Sequence, residues 1–141
     1  MKVPDVNVWL AAAWSRHSYH KIAKAWVDAE EGEIAFCRVS QMAFLRLLTN
    51  PAITKEDVLS RRRAWEVFEM LIADPRVRML GEPQGLEPLW IAFSKREDKS
   101  HLLWTDDYLA AFAQAAGAEL VTFDRPLSKR YTSVRITCLS N

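Results

Sequence analysis

The run Lys2-Val3-Pro4-Asp5-Val6-Asn7-Val8-Trp9-Leu10 decides the fold. Lys2 to Pro4 reads as a very short strand, and Val6 to Trp14 as a helix that starts at once, with Asp5 in the N-cap position. Helix and strand patterns alternate from there to the end of the chain, without an internal repeat or a low-complexity linker, so residues 1–141 read as a single domain.

Tyr19, Ile22, Ala23 and Trp26 recur at helical spacing, and Gly32 stops that helix. Ile34 to Cys37 reads as a strand. Ser40 is expected to cap a helix from Gln41 to Leu48, which Asn50-Pro51 ends because the residue before proline is biased out of the helical region. Thr54, with Asp57 three residues on, resembles a capping box for a helical segment, continuous or broken, that reaches Ala73. Trp65, Phe68 and Ile72 mark its expected buried stripe. Val77 to Leu80 is a strand; Leu86, Leu89, Trp90 and Phe93 line one helix, and Leu109, Phe112, Ala113 and Ala116 line another, closed by Gly117. Leu120 to Phe123 and Val134 to Cys138 are the last strands. Strands separated by helices are joined by crossovers, so the fold class is α/β, a parallel sheet of about four to five strands flanked by helices on both faces. Ligands of such sheets bind outside the strands' carboxyl ends, where Asp5 and Asp124 fall.

Half of the 141 residues are apolar and 26% are charged, as in a folded domain with a sizeable core. No apolar stretch approaches the roughly 18 residues of a membrane span. Met1-Lys2 leads straight into Val3-Pro4-Asp5 with no signal-peptide core, so the expected location is the cytoplasm, with no membrane partner. Cys37 and Cys138 form no C-x-x-C pair and read as small buried hydrophobes of a reducing compartment. A net charge of +1 lacks the global basic excess of a strong nucleic-acid binder. Phosphate attraction then falls to local clusters. Arg61, Arg62 and Arg63 read first as a solvated helix face, while Lys95, Arg96, Lys99 and His101 are the stronger candidates. No base-stacking platform is legible.

Three aspartates carry the chemistry. Asp106 lies three residues before Leu109 and seven before Ala113, at the head of an apolar stripe, and Asp107 is turned about 100° away. An acid on a buried stripe costs free energy unless paired with helix-terminal amides, a basic side chain or a metal. N-terminal decoration, with Thr105 as cap and Asp106 favoured by the helix dipole, is the alternative. Taken singly, Asp5 also fits a helix cap, and Asp124 fits Asp-Arg-Pro turn chemistry. Gathered at one sheet edge, three carboxylates repel one another unless a cation neutralises them, which points to a divalent-metal phosphodiesterase.

Four blocks in order carry a family resemblance: Pro4-Asp5-Val6-Asn7-Val8-Trp9-Leu10, Arg38 to Thr49, Thr105-Asp106-Asp107-Tyr108-Leu109-Ala110-Ala111-Phe112-Ala113, and Leu120-Val121-Thr122-Phe123-Asp124-Arg125. Together they resemble the PIN-domain ribonucleases and, more narrowly, the VapC-type toxins of type II toxin-antitoxin pairs. The resemblance implies a PIN-like three-layer sandwich and a metal-dependent endoribonuclease that hydrolyses RNA phosphodiester bonds. It implies Mg²⁺ or Mn²⁺ held by the catalytic acids Asp5, Asp106 and Asp124, with Asn7 and Thr122 in support. It also implies a cognate antitoxin that blocks the site, and a homodimer. Asp107 stands where the family usually has alanine and is expected at the surface. Arg46 matches a family arginine and is a candidate phosphate contact, with a salt-bridge or capping role equally open.

One position departs from the family. The usual glutamate three residues before the arginine is Ala43, and Gln41, neutral and two positions away, is the nearest polar residue; a glutamine-containing pattern of this kind resembles one subgroup of these toxins. The lost charge implies one firmly bound ion, a second needing the substrate phosphate. His17, His20 and His101 show no metal-ligand spacing. Most of the six tryptophans fall at apolar helical positions and read as core, with Trp14 and Trp26 open as the lining of a groove for a partner peptide. The competing class is a non-catalytic protein-binding module with a degenerate metal site. A haloacid-dehalogenase-like phosphatase wants a second acid two residues after Asp5, and Asn7 is not one.

Overall fold

The computed structural model describes residues 1–140. Its centre is a fully parallel sheet of five short strands, β1 (Lys2–Pro4), β2 (Ile34–Phe36), β3 (Val77–Met79), β4 (Glu119–Thr122) and β5 (Ile136–Cys138), in the order β3-β2-β1-β4-β5. Strands β1 to β3 run outward in one direction and β4 to β5 in the other, so the chain changes direction between β1 and β4. Ligands of open parallel sheets sit at such a switch point, beyond the carboxyl ends. The pairs Lys2–Glu119, Val3–Leu120 and Pro4–Val121 put Asp5 beside the end of β4.

The helices are α1 (Val6–Ala13), α2 (His20–Ala29), α3 (Arg38–Leu48), α4 (Pro51–Thr54), α5 (Arg61–Ile72), α6 (Leu86–Ser94), α7 (Trp104–Ala115) and α8 (Pro126–Arg130). Alternate strand residues feed opposite faces of the sheet, as the two-residue strand period requires. Ile34 and Phe36 join Trp9, Phe44, Phe68 and Val77 on one side, while Ala35 joins Val3, Leu120 and the α7 residues on the other. Two cores with a sheet between them make the three-layer sandwich expected from the sequence.

Several local expectations change. Helix α3 starts three residues early, at Arg38, with Cys37 as its N-cap. Ser40 is its third helical residue and reaches back to accept the Cys37 N–H at 3.0 Å, so it is the return arm of the cap and not the cap itself. Thr54 caps nothing. Asn50 accepts the Ala52 N–H at 2.9 Å and, with Pro51 at N1, starts the one-turn α4 as well as stopping α3. Lys55 then takes a φ of 54°, which breaks the segment, and Ser60 caps α5 through the Arg63 N–H at 3.2 Å.

Trp9 is fully buried and stacks on Phe36 with ring centroids 3.9 Å apart. Trp14, Trp26 and Trp90 pack part-buried against the two cores. The core assignment fails for Trp65 and Trp104, which remain 47% and 56% exposed. In the α5 stripe, Phe68 is buried and Trp65 is not.

The expectation that Asp107 lies at the surface is overturned. Helix α7 is wedged between the sheet and α6, and after the exposed Trp104 and Thr105 and the half-buried Asp106 every residue from Asp107 to Ala113 is buried. Asp107 accepts the hydroxyl of the equally buried Tyr131, which follows α8. Tyr131→Phe removes the one side-chain donor to that carboxylate among the described residues, and we expect a loss of about 1–3 kcal/mol in urea unfolding; an unchanged midpoint would show that the pair adds nothing to stability.

Candidate metal and active site

Asp5 follows β1 directly and caps α1, because a carboxylate at the N-cap answers amides that have no partner inside the helix. Its Oδ1 accepts the N–H groups of Asn7 at 2.9 Å and Val8 at 3.2 Å. Its Oδ2 accepts the hydroxyl of Thr122, the last residue of β4, and the Thr122 Oγ1 accepts the Asp124 N–H at 2.9 Å. One fully buried hydroxyl therefore ties the first aspartate to the backbone of the last. Asn7 takes part through its amide, which any residue would offer, and its side chain is exposed.

Asp106 reaches the same edge for a topological reason. Helix α7 delivers the chain to the amino end of β4, so its own amino end lies at the carboxyl edge of the sheet. The helix begins at Trp104, which makes Thr105 a first-turn residue and not the expected cap.

Burial pushes the Asp5 carboxyl up to about 6, against the lowering effect of Thr122 and the two amides, and the charge of Asp106 adds to the rise. Asp106, half-buried, is also raised, first by burial and then by the charge of Asp124, with Arg130 pulling it back. Asp124 is exposed. The three acids thus form a line of pairwise repulsions, Asp5 to Asp106 and Asp106 to Asp124. Among the described residues no three acid, His or Cys side chains are gathered closely enough to enclose an ion. Mg²⁺ suits such a place, because it keeps several waters and binds through one or two carboxylates. Carboxylate oxygens at this edge would suit a hard cation such as Mg²⁺ or Mn²⁺ better than a softer metal. Three of the roughly four lone-pair positions on the Asp5 carboxylate are engaged, which leaves one on Oδ2.

Arg46 is not brought to the acids. It is exposed in a separate hollow of about 210 Å³ between α3 and α5, with Thr49, Arg61 and Trp65, and lies roughly 12 Å down the α3 axis from the sheet edge. Arg130 is the arginine that acts on Asp106, and its one sequence signal is the basic run Arg125, Lys129 and Arg130 after Asp124. At the head of α3 the buried Gln41 accepts the Arg38 guanidinium at 2.6 Å. Arg38 also lines a cavity of about 430 Å³ beyond the carboxyl ends of β2 and β3, where the Tyr108 hydroxyl donates to Glu82 at 2.7 Å.

A model of the PIN domain family matches residues 2–132 of the chain. The chain is 39% identical over 146 aligned positions to Ribonuclease VapC41 of Mycobacterium tuberculosis, covering 99% of both proteins. Its fold is similar to that of Mycobacterium tuberculosis VapC20, described as a sarcin-ricin loop cleaving toxin, with a TM-score of 0.70 and 17% identity over 92% of this chain and 94% of that one. It is also similar to VapBC2 from Rickettsia felis bound to a promoter DNA fragment, with a TM-score of 0.67 and 14% identity over 99% and 98% of the two chains.

The raised Asp5 carboxyl has a measurable cost. Between the unfolded value of 3.8 and the folded value of about 6 the native chain holds more protons than the unfolded one, so stability falls as pH rises through that window. Above it the ionised carboxylate costs about 3 kcal/mol. Asparagine caps a helix as well as aspartate. In chelator, Asp5→Asn should therefore raise the unfolding free energy at pH 7.5 by up to that amount and make little difference at pH 4, as read by urea melts at both pH values; a variant less stable than wild type at pH 7.5 contradicts the assignment.

Proposed function

The chain belongs to the PIN domain family, and from that premise we propose that it is a metal-dependent endoribonuclease, the toxin of a type II toxin-antitoxin pair. The observation that carries the proposal is the line of mutually repelling carboxylates Asp5, Asp106 and Asp124 at the switch point of the sheet. The 39% identity to a protein named as a ribonuclease supports the reaction class, and the toxin-antitoxin assemblies among proteins of the same fold support an antitoxin partner.

A divalent cation, Mg²⁺ or Mn²⁺, bound at Asp5 and Asp106 would supply the Lewis acid that polarises a phosphodiester and activates water. The chain's own groups prepare the place. Thr122 fixes the Asp5 carboxylate, and above pH 6 that carboxylate is ionised and ready to ligate. Asp124 faces solvent at the open end, and Arg130 sets a cation beside Asp106 where a phosphate oxygen can meet it. No helix among the described residues is long and apolar enough to cross a membrane. A cytoplasmic homodimer that is silenced by its antitoxin completes the proposal.

Purified protein incubated with total cellular RNA and Mg²⁺ or Mn²⁺ should cut it, with cleavage sites mapped by sequencing 5′ ends. EDTA should abolish cutting, and Asp5→Asn and Asp106→Asn should each lower the rate at least roughly 100-fold, as loss of a charge-stabilising group in a low-dielectric site does. Equal behaviour of wild type and variants would instead identify a protein-binding module. With Ala43 in place of a carboxylate, calorimetric titration with Mn²⁺ should find one tight site in the free protein and a second only with uncleavable RNA; two tight sites in the free protein would refute this.

A further inference from the structure

The head of α7 carries an aromatic that the fold does not use. Trp104, the first residue of the helix, is 56% exposed, and Leu102 two residues before it is 73% exposed. Trp104 is nevertheless held in place. The Trp90 Nε1–H donates to the Trp104 carbonyl at 3.2 Å, and the Trp90 ring meets it edge to face at 6.4 Å. Trp90 is itself braced edge-on against Tyr108 at 5.4 Å. One edge of the indole meets Trp90, and more than half of the residue is left open to a ligand.

Its surroundings say what it contacts. Trp104 forms part of a polar hollow of about 110 Å³ whose walls include Arg96 from the α6–α7 loop and Arg130 from α8. Lys95, Lys99 and His101 are exposed along the same loop. Asp98 and Asp107 share the hollow, hydrogen-bonded to the Ser100 N–H at 3.0 Å and to the Tyr131 hydroxyl, and Glu97 is exposed on the same loop, so the cations Lys95, Arg96, Lys99 and Arg130 outnumber the acids by one. Arg96 is anchored through Nε to the Phe93 carbonyl at 3.0 Å, which leaves its terminal nitrogens for a ligand. Arg130 links this hollow to the acids, because its charge is felt by Asp106. Trp104 and Asp106 themselves are about 200° apart around the helix, so the indole does not share the face that carries the acid.

We propose that Trp104 is a base-stacking platform for an unpaired nucleotide flanking the scissile phosphate, with Arg96 and Arg130 binding the adjoining phosphates. This rests on the ribonuclease assignment and narrows its substrate to RNA with splayed, single-stranded bases, since a base inside a duplex offers no free face to an indole. An exposed ring beside two guanidinium groups is a combination that binds single strands: the ring takes the base, and the guanidinium groups take the backbone.

The test uses the full chain and a fluorescent mixed-sequence RNA 12-mer kept intact by EDTA, with anisotropy as the readout, beside an oligomer of the same backbone carrying abasic sites. Wild type should bind the base-bearing strand, and Trp104→Ala should bind it roughly 5- to 100-fold more weakly. Trp104→Phe should recover most of the loss. On the abasic strand wild type and Trp104→Ala should be equal, which a merely structural role for the indole would not produce. Equal binding of the base-bearing strand by wild type and Trp104→Ala, or a loss that is the same on both strands, overturns the proposal. So does a Trp104→Ala chain that keeps RNA binding and loses only association with a second copy of itself or with another protein. If wild type cuts RNA while Trp104→Ala matches it in binding, the platform falls and the nuclease stands; if wild type neither binds nor cuts RNA, both fall.

Discussion

The hydroxyl of Thr122 is the joint on which the site depends. It donates to the Asp5 carboxylate and accepts the Asp124 amide, so a single buried group holds the ends of β1 and β4 in one register and sets the first and last acids at the switch point. The joint works only because β1 and β4 are neighbours although more than a hundred residues separate them in the chain. It also stands in place of water around a carboxylate that the fold has taken out of solvent. Thr122 and the two helix amides lower the Asp5 pKa, and burial still outweighs them.

That imbalance separates what holds the fold from what serves chemistry. The two cores, built on alternate faces of the strands, are apolar clusters that close around Phe36 on one side and Phe112 on the other, with the buried Asp107 at the edge of the second. The acids lie where the strands stop: the Asp5 carboxylate is held by two helix amides and the Thr122 hydroxyl, Asp106 raises the energy of its ionised form, and Asp124 does the same to Asp106. A sheet edge of this kind is stable enough to persist because hydrophobic burial elsewhere exceeds its electrostatic cost, and it is relieved when positive charge arrives. Arg130 supplies part of that charge from within the chain.

The architecture and Asp5 were legible for the same reason. Very short apolar runs bounded by caps and glycines leave little choice but strands joined by crossover helices, and a strand that ends in aspartate before a helix names its own N-cap. What misled was the assumption that every helix has a wet face. Helix α7 is enclosed from Asp107 to Ala113, so the apolar stripe counted from Leu109 and Ala113 marked one side of a helix that is buried on several, and Asp107 was assigned to a surface that does not exist. Ser40 misled in another way, since a serine three residues into a helix forms the same bond to the cap residue as a capping serine forms in reverse. Trp104 and Arg130 were not legible as partners, because the hollow they share is closed by segments from opposite ends of β4.

The head of α3 shows how one lost carboxylate changes the balance of the whole edge. Ala43 offers no charge, and the polar groups that occupy that end of the helix are the Gln41 amide and the Arg38 guanidinium, joined at 2.6 Å. A neutral amide accepting from a cation leaves net positive charge where a glutamate beside Arg38 would leave the group neutral, and Arg130 adds positive charge felt by Asp106. For the proposed nuclease, the repulsion of Asp106 with Asp5 and Asp124 is what draws a divalent ion to this edge, and Arg130 lies close enough for Asp106 to feel its charge. On the proposed function, this makes the RNA backbone a partner in assembling the site, since its phosphates are drawn by the flanking arginines and bring with them the negative charge that the missing glutamate does not.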